Sequence, residues 1–208
     1  MRHGVTRETG TLLTGRLPGV GLSDTGQAAA RSTAEQLIDA KWAAAYTSPV
    51  QRCRETATIV ASPHGLRPTV ERRFIEADYG RWSGRQLKSL YKLKAWGDLM
   101  RSASRFRFPD GETLGEVQAR AVAALENVAA HHPKDDVLIV SHSDVIRSLI
   151  CNYLGIPLDL IHRIHVSPTS LTIIELYKGG MVRVPVVNQT FPEPKTSVGA
   201  ADKAASHG

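Results

Sequence analysis

The sequence predicts an α/β fold with a mostly parallel central sheet. Short apolar runs, such as Val137-Leu138-Ile139-Val140, alternate with longer segments whose apolar residues recur at helical spacing. This alternation is typical of a parallel sheet that carries helices on both faces. We therefore expect a three-layer α/β/α sandwich, formed as a single domain over residues 1–190.

The predicted elements follow in chain order. A helix starts near Ser23-Asp24 and ends near Ala40, and an apolar strand over residues 43–46 then ends at Thr47-Ser48. The next helix has Pro49 in its first turn, which proline tolerates because no helical hydrogen bond is lost there. Later in the chain we expect helices over residues 113–131 and 144–154, a strand over residues 137–140, and an edge β-hairpin with strands over residues 171–177 and 181–187.

Two segments fall outside this pattern. Residues 85–108 form an insertion that mixes aromatic residues such as Trp96 with basic residues such as Lys92. One interpretation is a helical cap over a pocket, whose basic residues would recognise a second anionic group on the ligand. The other is a helix packed by its aromatics with a solvated basic face. Beyond Phe191 the chain is polar and rich in proline and small residues, which predicts a disordered tail over residues 191–208.

The composition favours a globular protein of the cytoplasm. No apolar run approaches the roughly 18 residues that span a membrane, and the first residues do not resemble a signal peptide. Cys53 and Cys151 lie in separate predicted helices without metal-ligand spacing, so we expect reduced thiols and no metal. The net charge of +6 comes without a basic stripe interleaved with aromatics, which argues against nucleic acid as a partner. A homodimer is compatible with these features.

Two histidines stand at predicted sites of chemistry. His3, in Arg2-His3-Gly4, comes just before a glycine turn, and His142 follows the buried strand that ends before Ser141. The functional groups of α/β proteins lie at such strand ends. A neutral imidazole is a nucleophile, and the charge of Arg2 disfavours the imidazolium while its guanidinium fork can bind phosphoryl oxygens. The pattern therefore suggests phosphoryl transfer through a phosphohistidine.

Two further motifs supply the remaining groups that this chemistry needs. Arg52 lies in the first turn of the helix after Ser48, where backbone N–H groups favour anions. Glu76 precedes a loop with Gly80 and Gly84, and it is a candidate general acid that would protonate the leaving alkoxide. Taken alone, each of these residues is more typical of a solvated surface side chain. The functional hypothesis therefore depends on their combination.

The combined pattern resembles the histidine phosphatase superfamily, the clan of cofactor-dependent phosphoglycerate mutases and acid phosphatases. The matching residues stand in the family's order from residue 2 to about residue 178. They are Arg2-His3-Gly4, residues 48–57, residues 76–84, Pro109-Asp110-Gly111-Glu112-Thr113 and Ser141-His142-Ser143. Residues 14–23, 144–147 and 154–159 are more similar to a bacterial subgroup of phosphomutase-like phosphatases than to glycolytic mutases.

The resemblance implies that His3 is the phosphorylated nucleophile, that Glu76 is the proton donor, and that His142 stabilises the transferring charge, if a bound phosphate keeps it protonated. We also expect phosphate or substrate contacts at Arg2, Arg52, Thr6, Thr14, Gly15 and Ser143. Three residues depart from the family pattern. Val5 replaces an acid, Thr9 stands where mutases often carry a substrate-contacting asparagine, and Ser143 replaces a glycine but keeps the backbone N–H.

Three functions are compatible with this resemblance. A phosphatase passes the phosphoryl group from His3 to water, and a mutase returns it to another hydroxyl of the same substrate. A non-catalytic descendant would bind phosphorylated ligands without turnover, which the intact set of site residues argues against. Thr9 and the lack of an obvious long lid favour the phosphatase. We expect a small phosphorylated substrate and no cofactor.

The strand that should carry His3 is expected to be truncated. The family places an apolar strand directly before Arg-His-Gly, whereas here Met1 alone precedes Arg2. Loss of a central strand would expose two backbone edges and open an apolar gap. From the sequence we therefore expect that the natural start lies upstream, that residues 1–4 are weakly ordered, and that the chain as given has low solubility and poor activity.

Overall fold

The computed structural model describes residues 1–191 and contains a three-stranded parallel sheet. β1 (Trp42–Thr47) lies between β2 (Thr69–Val70) and β3 (Asp136–Val140). Both neighbours run parallel to β1, so that Tyr46 lies opposite Thr69 on one side and opposite Ile139 on the other. β1 and β3 confirm predicted strands. The two-residue β2 is too short to produce a periodic pattern in the sequence.

Helices connect these strands. The α-helices among the described residues are α1 (Asp24–Gln36), α2 (Gln51–Ala61), α3 (Leu87–Leu90), α4 (Lys94–Arg101), α5 (Leu114–His131) and α6 (Ser143–Leu154). α1 ends at Gln36 instead of near Ala40, because Leu37 leaves the helical conformation and closes the last turn. Pro49 precedes α2 instead of lying in its first turn, because Val50 keeps an extended backbone as the N-cap.

The sheet separates two hydrophobic layers. Leu138 and Val140 of β3 pack on one face in a core with α1 and α2. Val137 and Ile139 point the other way and pack against the core that α5 and α6 share. Alternate side chains of one strand therefore face opposite helical layers, as in any strand buried on both sides. This arrangement confirms the predicted three-layer α/β/α sandwich.

Residues 1–3 run beside the end of β3. The carbonyl of Met1 accepts from the Ser141 N–H at 3.0 Å, and Arg2 forms a parallel bridge with Ser141. On the other side, the Arg2 N–H donates to the Ser170 carbonyl at 3.1 Å. This pairing places His3 at the tip of β3. The expected weak order of residues 1–4 stays a prediction.

β4 (Leu171–Leu176) and β5 (Val182–Gln189) form the predicted antiparallel hairpin, with Pro185 in a strand that pairs only with β4 within residues 1–191. The prediction that this hairpin is the edge of the main sheet is wrong, because β4 and β5 make a separate two-stranded sheet. Residues 1–3 lie between Ser141 and Ser170 and pair with the segments next to β3 and β4, outside both strands. β5 packs against α6 instead.

The insertion over residues 85–108 contains α3 and α4 and packs through its aromatic side chains. Trp96 stacks on Trp82, with ring centroids 5.9 Å apart. The basic side chains of the insertion are exposed, and Arg101 pairs with Asp98 within α4. These contacts favour the packed helix with a solvated basic face. A role of the insertion as a cap over the pocket stays a prediction.

Other predictions concern membranes, thiols and the tail. Within the described part of the chain, no helix combines the length and apolar character that a membrane crossing requires. Cys53 and Cys151 are both buried and unpaired. Apart from Phe191, the predicted tail lies outside the described residues.

Candidate active site

The reactive side chains meet at the carboxyl ends of β1 and β3. Residues 1–3 carry His3 to the tip of β3, which ends directly before Ser141-His142. β1 ends at Thr47, and a short turn leads from it into α2, whose first turn carries Arg52. Parallel strands bring their carboxyl ends to one edge of a sheet, so these segments converge. His3, Arg52 and His142 are all buried there.

Hydrogen bonds determine which nitrogen of His3 carries the proton. Nδ1 lies 2.7 Å from the carbonyl oxygen of Gly4, which can only accept, so Nδ1 carries the proton and donates it. Nε2 keeps its lone pair and accepts from Nε of Arg52 at 3.1 Å. An unprotonated ring nitrogen is what nucleophilic attack on phosphorus requires. The geometry therefore makes Nε2 the nucleophilic atom of His3.

His142 is held in the opposite tautomer. Nη2 of Arg52 lies 3.1 Å from Nδ1 of His142, and a guanidinium can only donate, so Nδ1 accepts. Nε2 of His142 therefore carries the proton and donates to Oγ of Ser48 at 2.7 Å. The two imidazole rings lie edge to face, with centroids 5.2 Å apart. One arginine thus defines the protonation of both histidines.

The site disfavours further positive charge on its imidazoles. Burial, followed by the charges of Arg52 and Arg2, lowers the pKa of His3 well below its usual value. Burial and Arg52 likewise lower the pKa of His142. Both arginines act in the direction predicted from the charge of Arg2, and Arg52 has the larger effect of the two.

Both arginines keep donors for an anion. Nη2 of Arg52 also donates to the Gly15 carbonyl at 2.8 Å, whereas the buried Nη1 has no hydrogen-bond partner among residues 1–191. Nη1 of Arg2 donates to the Val166 carbonyl at 2.6 Å, and its buried Nε is likewise unpartnered within that range. Buried donors without partners cost about 1 to 3 kcal/mol each, so an anion that satisfies them binds favourably. Phosphoryl oxygens suit such guanidinium donors.

Glu76 lies beside His142 and is buried instead of solvated. Its Oε1 accepts from the Ala77 N–H at 2.9 Å, and its Oε2 lies 3.7 Å from Nδ1 of His142. Burial, reinforced by the negative charge of Asp144 and opposed by Arg52, raises the pKa of Glu76 to about 7. A carboxyl group that holds its proton close to neutral pH is suited to general acid catalysis.

Two of the other predicted contact residues lie next to this centre. Gly15 holds Arg52 through its carbonyl and has a φ of +51°; a Cβ there would lie 2.9 Å from the ring of Tyr79. Ser143 is the first residue of α6, directly after His142, where backbone N–H groups have no helical acceptors. Their contacts with phosphate stay predictions.

Thr6 and Thr14 lie in turns. The Thr6 N–H donates to Oγ1 of Thr9 at 2.9 Å, and the Thr14 carbonyl accepts from the Leu17 N–H at 3.0 Å. The structure therefore engages Thr9, the residue at the mutase asparagine position, in a local turn. The predicted phosphate contacts of Thr6 and Thr14 are not tested by these hydrogen bonds.

Several residues that hold the site together have no role that the sequence motifs indicate. They are Arg16, Ser48, Tyr79, Glu112, Arg120 and Asp144. The hydroxyl of Tyr79 donates to Asp144 at 2.7 Å, which places a second carboxylate near Glu76. Glu112 lies in the Pro-Asp-Gly-Glu-Thr motif, which was a signal for its importance. Arg16 lies in the segment 14–23 that resembles the phosphatase subgroup, whereas Arg120 has the sequence context of an ordinary residue on a helix surface.

Within residues 1–191, no group of three or more His, Cys, Asp or Glu side chains is arranged to hold a metal ion. The positive charge at the site comes from Arg2 and Arg52. Independence of activity from metal stays a prediction.

Curated relatives are similar to part of the chain. Phosphoserine phosphatase 1 of Hydrogenobacter thermophilus is 30% identical over 142 residues, which cover 66% of this chain and 66% of that protein. A bifunctional protein of Mycobacterium tuberculosis is 30% identical over 151 residues, which cover 71% of this chain and 41% of that protein. The chain thus spans less than two thirds of the length of these relatives.

Solved structures are similar over most of the described chain. YhfR of Bacillus stearothermophilus is 28% identical with a TM-score of 0.85, and the match covers 91% of this chain and 95% of that one. A mycobacterial glucosyl-3-phosphoglycerate phosphatase is 23% identical with a TM-score of 0.81, covering 91% of this chain and 96% of that one. This second likeness concerns the fold alone.

The family model for the histidine phosphatase superfamily, branch 1, matches residues 1–189. This range includes each of the converging residues described above. With the fold, the paired histidines and this match in agreement, the chain belongs to the histidine phosphatase superfamily.

Proposed function

We propose that the protein is a phosphatase that hydrolyses phosphate monoesters through a phosphohistidine on His3. The observation that carries this proposal is the pairing of a nucleophile with its cation. Nε2 of His3 is buried and unprotonated, and it lies 3.1 Å from Nε of Arg52, whose Nη1 has no partner in the described chain. A phosphoryl group at this point would meet both an attacking lone pair and free guanidinium donors.

In the first step, Nε2 of His3 attacks the phosphorus of the ester. The P–N bond forms as the bond between phosphorus and the ester oxygen breaks, and the electron pair of that bond goes to the leaving oxygen. Glu76 donates its proton to this oxygen and becomes a carboxylate. Arg52 and Arg2 bind the phosphoryl oxygens throughout. His142, which takes up a second proton from solvent when the phosphoryl dianion binds, stabilises their charge in the transition state.

In the second step, water attacks the phosphohistidine. The Glu76 carboxylate takes a proton from the water, the new P–O bond forms, and the electron pair of the P–N bond returns to Nε2 of His3. The products are inorganic phosphate and the free enzyme, with Glu76 protonated again. A pKa of about 7 allows Glu76 to act as acid in one step and as base in the other.

The substrate class is a small phosphorylated metabolite. The name of one relative, a phosphoserine phosphatase, supports hydrolysis over a mutase reaction. The engagement of Thr9 with Thr6 supports the same choice. A cytoplasmic location is supported by the unpaired thiols of Cys53 and Cys151.

The test is a labelling experiment with a phosphoryl-labelled aryl phosphate and a screen of phosphorylated metabolites that includes phosphoserine. We expect the wild-type protein and the exposed control variant His131→Ala to carry label that is stable to base and labile to acid. His3→Ala should carry none and release no phosphate. Label in the His3→Ala variant would reject the assignment, and an isomerised phosphate ester as the main product would identify a mutase.

A further inference from the structure

We infer that Arg16, Glu112 and Arg120 form a positioning network that holds the backbone of Glu76 and thereby sets where its carboxyl group donates a proton. This inference deepens the proposed function and rests on the role of Glu76 as general acid. None of the three residues needs to touch the substrate for this role.

The backbone carbonyl groups around Glu76 need hydrogen-bond donors, and these residues supply them. Residues 73–78 lie in no β-strand, so their carbonyl groups have no partners in a sheet. Buried carbonyls require donors from elsewhere. Nη1 of Arg120 donates to the carbonyls of Arg73 at 2.6 Å and Ile75 at 2.7 Å, and Nη2 donates to that of Glu76 at 3.2 Å. One rigid guanidinium fork therefore fixes three carbonyls of this segment.

A second arginine binds the same carbonyl. Nε of Arg16 donates to the Glu76 carbonyl at 2.8 Å. Two guanidinium groups at one oxygen repel each other unless an anion lies between them. Glu112 supplies that anion, since it accepts from Nη2 of Arg16 at 2.8 Å and from Nε of Arg120 at 3.0 Å. The three side chains thus form one connected unit around the backbone of Glu76.

Glu112 also joins the two loops directly. Its Oε2 accepts from the Asp78 N–H at 3.0 Å, and its own N–H donates to the Asp78 carbonyl at 2.9 Å. Gly111 permits this approach, because a Cβ there would overlap the Asp78 carbonyl oxygen. Burial opposes ionisation of Glu112, but hydrogen bonds from Arg120 and the Asp78 N–H lower its pKa, so the carboxylate persists. The glutamate of the Pro-Asp-Gly-Glu-Thr motif thus belongs to the network that positions the proton donor.

None of the three network side chains contacts His3 or Arg52 through a hydrogen bond, although Arg16 directly follows Gly15. His3 is oriented by Gly4 and Arg52, and Arg52 by Gly15 and His142. Loss of the Glu112 contacts should therefore displace the Glu76 carboxyl group and leave Nε2 of His3 in place. This separation gives a specific kinetic signature. The rate should fall for substrates that need a proton on the leaving oxygen, and it should stay the same for substrates whose leaving group departs as a stable anion.

The experiment compares Glu112→Gln with the matched control Glu116→Gln. Glu116 lies four residues further on, in an exposed ion pair with Arg107. Its replacement by glutamine removes the same charge as Glu112→Gln, but from a residue outside the network. We measure kcat/KM for an alkyl phosphate and for an aryl phosphate with an acidic phenol. In Glu112→Gln, kcat/KM for the alkyl phosphate should fall about tenfold or more beyond any fall for the aryl phosphate. This loss is a part of the roughly 10²- to 10⁴-fold acceleration that a general acid supplies. The control should show no such selectivity.

A double-mutant cycle with Glu76→Gln separates this inference from the proposed function. If the network acts through Glu76, then Glu112→Gln should have little further effect on the alkyl rate once Glu76 is replaced. Arg120→Lys keeps the positive charge but loses the guanidinium fork, and it should show the same selectivity. This variant replaces Glu112→Gln as the test if Glu112→Gln melts at a much lower temperature. The network alone is overturned if Glu112→Gln and Arg120→Lys lower the alkyl and aryl rates equally while Glu76→Gln still lowers the alkyl rate selectively. An unselective Glu76→Gln overturns the acid assignment and the network with it.

Discussion

The Nε–H of Arg52 points at the Nε2 lone pair of His3 across 3.1 Å. The group that should bind the phosphoryl oxygens therefore already contacts the atom that should attack phosphorus. Substrate binding requires Arg52 to exchange this contact for oxygen atoms of the phosphoryl group. The arginine thus keeps His3 in its reactive tautomer until the substrate replaces it as the partner of Nε2.

Arg52→Lys is expected to lower kcat/KM by about 10²- to 10³-fold, the range found when one preorganised donor is removed from a transition state. A lysine keeps the charge, but it cannot reach His3, His142 and Gly15 together as the fork of Arg52 does. The control is Arg54→Lys, at an exposed position on the same helix. Steady-state rates with an aryl phosphate give the comparison, and a loss below about threefold would contradict the role given to the fork.

The pH dependence of kcat/KM for an alkyl phosphate should report Glu76. Its pKa is raised to about 7, so the carboxyl is protonated below that pH and loses its proton as the pH rises through it. We therefore expect the rate to fall above about pH 7. Glu76→Gln should remove this limb and slow alkyl phosphates about 10²- to 10⁴-fold, with a much smaller effect on an aryl phosphate. An unchanged alkaline limb in the variant would assign the titration to another group.

Gly15→Ala should impair both stability and activity. At a φ of +51° an alanine costs about 1 to 2 kcal/mol, and its Cβ would also lie 2.9 Å from the ring of Tyr79. The displaced carbonyl would then release Nη2 of Arg52. Gly19→Ala is the matched control, because its φ of +75° imposes similar strain in open space. Thermal melting and phosphatase rate should separate the two variants; equal activity would show that the Gly15 carbonyl does not position Arg52.

Activity should survive removal of divalent metal. Arg2 and Arg52 supply the positive charge at the phosphoryl group, so no Lewis acid is needed there. We expect the same rate before and after dialysis against a chelator. A rate that disappears on dialysis and returns with a divalent ion would contradict this prediction.

The layers of the fold could be predicted because the longer strands and helices each show a clear apolar pattern. The runs at β1 and β3 are apolar on both faces, and the long period of α5 fixes its length almost to the residue. The separation of the hairpin from the main sheet could not be predicted. It depends on which backbone segments pair with β4, and side-chain pattern does not specify that pairing.

The site was predictable to the extent that its residues stand in local motifs. His3, Arg52 and His142 each lie at a strand end or a helix start, and the structure brings them together. The contacts that adjust their chemistry are long-range. Ser48 meets His142 across 94 residues of chain, and Arg16 meets the Glu76 carbonyl across 60. Such pairs have no spacing rule in the sequence, so packing alone reveals them.

The opposite tautomers of His3 and His142 imply that phosphate and a proton bind as a couple. When Arg52 turns its donors to phosphoryl oxygens, Nδ1 of His142 loses the N–H that now satisfies its lone pair. That lone pair then faces a dianion, which favours an imidazolium. If His142 takes up that proton, thermodynamic linkage requires that the proton and the phosphate dianion strengthen each other's binding, and product release should then return the proton to solvent. The heat of phosphate binding would accordingly vary with the ionisation enthalpy of the buffer.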